Sequence, residues 1–214
     1  MKVIWVLENI KGNKEFYSRL GTLTLLASVK LFRKHHKDSY LVLYCDSTTK
    51  ELLHTLDVLY LWDEVIDYHH TRDVNRDVFW ACSKLNVLSQ QTEPVLLLDN
   101  DSLLHTNFYP YLKDEVLVSN FEVGKGYYPT AIDPNIRNLS YKTRWNTDSV
   151  NVSFLYLPDP EFTRHYAELS IKFMEEFTQM KVPNSQYLIF AEQLLLKHLL
   201  DKNNIKHKSV ISTY

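Results

Sequence analysis

Asp99 and Asp101 stand one residue apart at the end of an apolar run, Val95-Leu96-Leu97-Leu98, and are the strongest chemical signal in the chain. Side chains alternate along an extended chain, so two carboxylates at this spacing can converge on one hard divalent cation. The run before them reads as a strand covered on both faces, as parallel sheets require, and the carboxyl end of such a strand is where open α/β sheets bind ligands. A plainer reading is a strand followed by an Asp-Asn turn that solvates its acids and does nothing more. Glu192 is the second conspicuous acid: Leu188, Ala191, Leu195 and Leu199 form an apolar stripe on a helix over 186–200, and Glu192 falls inside it. A carboxylate on a buried stripe needs a task or a partner, such as Arg144 or a backbone amide.

Positioning these acids takes a regular alternation of strands and helices. A strand over 2–7 is followed by an amphipathic helix near 15–35, marked by Phe16, Leu20, Leu23, Ala27 and Leu31. Tyr40 to Tyr44 is a second strand that ends at Cys45-Asp46, with Asp46, Ser47 or Thr48 available to cap a short helix over 50–56. A short strand over 65–68 and a helix over 76–90 then lead into the Val95 strand. Beyond it come a strand over 116–119, a polar and aromatic connector over 122–148, a strand over 151–157, a long helix from Phe162 to Met180, the 186–200 helix and a last strand over 206–211. A connector of that length in a compact domain is usually functional. The order predicts an α/β fold with a mostly parallel central sheet flanked by helices.

Composition narrows the chemistry further. A net charge of -2 provides no basic footprint, so a nucleic-acid partner has little support. With four glycines there is no dinucleotide fingerprint and no P-loop, and a nucleotide must then be held through a metal. Cys45 and Cys82 sit in apolar patterns, which points to a reducing compartment. With no transmembrane run and no signal segment, the expected location is cytoplasmic, either bacterial or that of a host cell. The adjacent pairs His35-His36 and His69-His70 lack zinc-site spacing.

The N-terminal strand, the second strand ending in Asp, the helix carrying Lys84 and the later Leu-Leu-Leu-Asp-Asn-Asp together resemble the GT-A fold of nucleotide-sugar glycosyltransferases. The likeness is to the retaining glycogenin-like and galactosyltransferase-like families. Downstream, Val150-Asn151-Val152-Ser153 stands where those families carry an Asn-Ala-Gly-type strand, and Glu192-Gln193 where they carry an acid-Gln pair. The resemblance implies a single domain over 1–214, or the N-terminal domain of a longer protein, with 1–101 as nucleotide-binding half and 102–214 as acceptor-side half. It implies Mn²⁺ or Mg²⁺ as cofactor, a nucleoside diphosphate sugar, UDP-linked, as donor, and a glycan or glycoprotein as acceptor, with retention at the anomeric carbon. Asp101 would ligate the metal, and Asp99 would contact the metal or the ribose. Asn100 would be a spectator or a ribose contact, and His207 the third metal ligand. Asn9 and Glu8 would contact base and ribose; Asp46 would join them or cap the next helix. Lys84 would sit near the donor phosphates or lie solvated on its helix. Glu192 would face the donor sugar or acceptor, with Asp148 and Asn151 opposite, and Tyr127, Tyr128, Tyr141 and Trp145 would stack on an acceptor.

Two other readings stand beside this one. A haloacid-dehalogenase-type Mg²⁺ phosphatase also uses paired acids after an apolar strand and a Ser at the end of the next, as Ser119 could be. That family, however, opens with its acid strand, and Leu103 fills the place where it prefers Thr or Val. A GT-A-like domain could also hold a nucleotide sugar or glycan without turning it over.

Overall fold

The computed structural model describes residues 1–9, 18–123, 148–178 and 189–211. Strands β1 (Lys2–Leu7), β2 (Tyr40–Cys45), β3 (Glu64–Asp67) and β4 (Val95–Leu98) are parallel. Beyond β4, β6 (Ser149–Leu157) pairs antiparallel with both β4 and β5 (Val116–Glu122), and β7 (His207–Ser209) lies parallel to β5 at the edge. The sheet order is β3-β2-β1-β4-β6-β5-β7, so β6 alone runs against the rest and the sheet is mostly parallel, as expected. This is the GT-A, Rossmann-like α/β architecture.

The flanking helices are α1 (Arg19–His35), α2 (Ser47–Thr55), α3 (Cys82–Leu88), α4 (Pro160–Thr178) and α5 (Leu195–Lys202), the last preceded by one π-helical turn, Phe190–Leu194. Ser18 caps α1 by accepting from the Gly21 N–H at 3.0 Å, and Arg33, Lys34 and His35 complement the dipole in its last turn. Among the described residues no helix is long and apolar enough to cross a membrane.

Two apolar clusters lie on opposite faces of the sheet, and strand alternation assigns side chains between them. Val3, Trp5, Leu7, Leu96 and Leu98 join Leu25, Val29 and Phe32 of α1. Ile4, Val6, Val95 and Leu97 join Leu85 and Leu88 of α3 and Tyr166 and Phe173 of α4. Carried past the strand ends, the same alternation sends Glu8 after Val6, and Asp99 after Leu97, to the α3 side. Nearly every α3 side chain is buried, with Lys84 half-buried among them.

Several boundaries depart from the sequence expectation. The helix foreseen over 76–90 shortens to α3 because Asn75 starts a turn, its carbonyl accepting from Phe79 N–H at 2.9 Å and its side chain from Asp77 N–H at 3.1 Å. That turn carries Arg76 toward Glu8. β5 continues past Ser119 to Glu122, so Ser119 is a buried strand residue and not the strand end that a phosphatase would need. Most of the aromatic connector, with Tyr127, Tyr128, Tyr141, Arg144 and Trp145, lies outside the described residues.

Candidate active site

A cavity of about 210 Å³ opens at the carboxyl end of β4, lined by Val6, Gly21, Trp80, Ser83, Lys84, Asp99, Asn100 and Asp101. The turn that presents its acids is tied to the sheet from below. The Ser153 carbonyl of β6 accepts from Asp99 N–H at 2.9 Å and from Ser102 Oγ at 2.7 Å, and Ser28 Oγ of α1 donates to the Ser102 carbonyl at 2.7 Å. With Ser102 N–H also bonded to the Asp99 carbonyl at 3.1 Å, both ends of the turn are fixed. Backbone groups set here by packed strands and helices hold a site more firmly than a free loop would.

Lys84 reaches from α3 to this turn. Its Nζ lies 2.5 Å from Asp99 Oδ1 and 3.3 Å from Glu192 Oε1, so one ammonium bridges two carboxylates. Burial opposes the Lys84 charge, but the two carboxylates outweigh it and hold the ammonium well above the ordinary lysine range. Burial pushes the Glu192 carboxyl up; Lys84 opposes that rise and the Asp99 charge adds to it. Glu192 sits on the π-helical turn, where Leu195 N–H bonds back to the Phe190 carbonyl, and Tyr166 of α4 donates its hydroxyl to the Glu192 carbonyl at 2.5 Å. The wider π turn shifts the hydrogen-bond ladder by one residue, and such turns are frequent at functional sites. Glu192 does not line the cavity but stands behind Lys84, and Lys84 is not the solvated helix residue that its sequence position allowed.

Asp101 differs from both: it is exposed and has no hydrogen bond or ion pair among the described residues. Asp99 offers its second oxygen and Asp101 both of its own to whatever enters. Hard divalent cations of the Mg²⁺ type are commonly held by one or two carboxylates together with substrate phosphates. The donor set fits a cation arriving with phosphates and not an all-protein cage, since no group of three or more His, Cys, Asp or Glu side chains suited to a metal occurs among the described residues. His207 is not brought to these acids. It begins β7 opposite Val116, its Nδ1 2.8 Å from the Ile205 carbonyl and its Nε2 3.7 Å from Asp201.

The other candidates are mostly engaged. Glu8 is buried, its carboxylate bound by Arg76 and by Ser83 Oγ, the latter at 2.5 Å. Asp46 caps α2 by accepting from Thr49 N–H at 2.8 Å, and its other oxygen accepts from Asn9 N–H at 2.6 Å. Asn151 accepts from Ser153 N–H at 3.0 Å and donates to Glu122 at 3.5 Å, next to the register shift between β5 and β6, so it shapes the strand that carries Ser153. Asp148 precedes β6 and does not line the cavity. Burial lifts both thiols, Cys45 and Cys82, to about 12, which removes them as nucleophiles near neutral pH. Trp80, absent from the sequence expectations, is half-buried and lines the cavity, as does Gly21.

No curated protein sequence matches the chain. Among solved structures it is similar to the glycosyltransferase GlyE of Streptococcus pneumoniae TIGR4, at 12% identity over 98% of this chain and 44% of that one, with TM-score 0.52. It is also similar to the galactosyltransferase LgtC in complex with donor and acceptor sugar analogs, at 13% identity over 89% of this chain and 70% of that one, with TM-score 0.50. A third likeness is to 4-diphosphocytidyl-2C-methyl-D-erythritol synthase of Anaerococcus prevotii, at 15% identity over 100% and 89% of the two chains, with TM-score 0.51. At such identities the likeness is one of fold, and the chain spans less than half the length of GlyE. A family model matches residues 10–214, and the chain belongs to that family, DUF6734, a family of unknown function.

Proposed function

We propose that the protein is a glycosyltransferase that moves a sugar from a nucleoside diphosphate donor, UDP-linked, to a glycan or glycoprotein acceptor, with retention and with Mn²⁺ or Mg²⁺ as cofactor. The observation that carries this reading is Asp101, a carboxylate without a partner among the described residues, one residue from Asp99 on a cavity at the carboxyl end of a buried strand. Breaking a sugar–phosphate bond loads negative charge on the departing diphosphate, and a bound divalent cation offsets that charge. Asp101 and the free oxygen of Asp99 would hold the cation. Lys84 would place its ammonium against a phosphate oxygen, and Glu192, acting through Lys84, is a positioning residue. Trp80, on the cavity wall, would stack on the base or sugar. The described cavity is smaller than the roughly 300–1,000 Å³ of most ligand sites, so it would hold the diphosphate and part of the donor.

Stabilisation by UDP, measured by thermal shift with and without Mn²⁺ on wild type and Asp101→Ala, tests the reading. Metal-dependent stabilisation of the wild type alone is expected, followed by UDP release from UDP-hexoses; no metal-dependent effect of UDP on the wild type would sink it. Stabilisation without turnover would leave a binding domain. A second reading, nucleotidyl transfer, draws on the match in length to the erythritol synthase, 89% of which is covered. Release of pyrophosphate from CTP or UTP in the presence of a sugar phosphate would favour it over release of UDP.

A further inference from the structure

Lys84 has more carboxylate than it can neutralise. Its Nζ is 2.5 Å from Asp99, on the cavity, and 3.3 Å from Glu192, behind it. The three side chains are 20%, 28% and 9% exposed for Lys84, Asp99 and Glu192, so water replaces none of these contacts cheaply. A lysine on a flexible four-carbon stem with three donors can shift between two such acceptors and keep one throughout.

We propose that Lys84 is a latch on the cation seat: in the unliganded protein its ammonium occupies Asp99, and a diphosphate draws it off, so that metal and nucleotide bind as a pair. The proposal rests on the donor-site reading above and adds its order and coupling. A divalent ion arriving alone must coordinate a carboxylate whose Oδ1 is already bonded to an ammonium and share the site with that like charge. A diphosphate removes both obstacles, since its oxygens can accept from the lysine and coordinate the ion together. Glu192 is the resting acceptor that keeps the released ammonium paired on its other side. By linkage the metal must tighten nucleotide binding by the same factor that the nucleotide tightens metal binding.

Mn²⁺ affinity, read from the electron paramagnetic resonance of the free ion, tests the latch in wild type, Lys84→Met and Glu192→Gln, each with and without UDP. Wild type should bind Mn²⁺ at least about tenfold more tightly with UDP than without, within the usual range of coupling between sites. In Lys84→Met the affinity for Mn²⁺ alone should rise by about tenfold, with no such rise in the presence of UDP, so the coupling shrinks. In Glu192→Gln, Lys84 is left to Asp99 and Mn²⁺ alone should bind more weakly than to wild type. An equal rise with and without UDP in Lys84→Met is a general field effect and overturns the latch while leaving the donor site standing. Wild type that takes up no Mn²⁺ even with UDP overturns both. Should Lys84→Met fail to fold, Glu192→Gln decides: unchanged or tighter binding of Mn²⁺ alone overturns the latch.

Discussion

Glu8 and Asp99 reach the α3 layer by the same route, each one step of strand alternation beyond an apolar residue, yet they end in opposite electrostatic states. Glu8 is 4% exposed and both its oxygens are taken inside the protein, by Arg76 and by Ser83. At Asp99 a single ammonium, Lys84, serves Asp99 and Glu192, while Asp101 has no partner at all among the described residues. Among the described residues, three carboxylates against one lysine leave a local surplus of negative charge, with Asp99 and Asp101 on the cavity. A paired acid such as Glu8 serves the fold, whereas carboxylate oxygens left open on a cavity are available to a cation, and this contrast is the ground for proposing a site at the β4 end.

The sharpest way to break this contrast is to remove the acid with no partner. Asp101→Asn should lower sugar-donor turnover by at least about 10²-fold, as loss of a group that stabilises developing charge does. The same change should leave unfolding free energy within about 0.5 kcal/mol, because Asp101 is exposed and has no hydrogen bond or ion pair among the described residues. Arg76→Met should do the reverse. It takes the guanidinium away from the buried Glu8 carboxylate, and removing one partner of a buried pair costs about 3–5 kcal/mol; the partial exposure of Arg76 places this case near the lower bound. Urea unfolding measures the loss, and metal-dependent UDP binding by the folded fraction should persist. If Asp101→Asn costs as much stability as Arg76→Met, the two acids are not different in kind.

How much of this was readable beforehand depends on whether the cause was local. The apolar run into Asp99 and Asp101 and the stripe around Glu192 are patterns of near neighbours, and the structure places the first at a strand end and the second beside the same site. Helical periodicity alone left Lys84 free to face solvent, because nothing in residues 76–90 says that the π turn, a hundred residues later, packs a carboxylate against it. The partner foreseen for Glu192 was Arg144 or a backbone amide, and the described partner is Lys84. Arg144 itself lies outside the described residues. Ser153 stands with Val152 where the resemblance has Ala-Gly, whereas its contribution is a backbone carbonyl that any residue supplies, and such a role leaves no trace in sequence. Trp80 misleads for the opposite reason: an aromatic inside an apolar helix pattern reads as core. Asp46 was foreseen as a cap or a ligand contact, and its cap bond to Thr49 is present.

Asp46 supplies a milder test of closed against open acids, since both its oxygens are taken by backbone donors of Thr49 and Asn9. Asp46→Ala should cost about 1 kcal/mol, the usual value of a lost helix cap. Metal affinity measured with UDP present should change less than in Asp101→Asn; an equal loss would move Asp46 into the open set.

The smallest effect is expected on the other face of the sheet, where a buried polar group is closed without any charge. His36 is fully buried and stacked on Phe32 at 4.2 Å; its Nε2 accepts from Phe108 N–H at 2.8 Å, and Nδ1 lies 3.2 Å from the Phe32 carbonyl. An acceptor role for Nε2 puts the proton on Nδ1, so the bonded ring is neutral. Burial pushes its pKa below 6.5, with the Phe32 carbonyl opposing that shift and His35 adding to it. The unfolded chain therefore takes up a proton below pH 6.5 that the folded chain refuses, so stability is full above that pH and declines as pH falls toward the lowered value. One such group gives a slope of at most about 1.4 kcal/mol per pH unit. Burial also lowers the pKa of His70 and His198, which act in the same direction, so the measurement is a difference. His36→Gln keeps an acceptor for Phe108 N–H but cannot titrate, and urea unfolding at pH 7.5 and 5.5 should show a smaller acid loss in the variant than in wild type. Equal losses would mean that His36 is protonated in the folded protein with its Phe108 bond already broken, and that this face, too, carries an open charge.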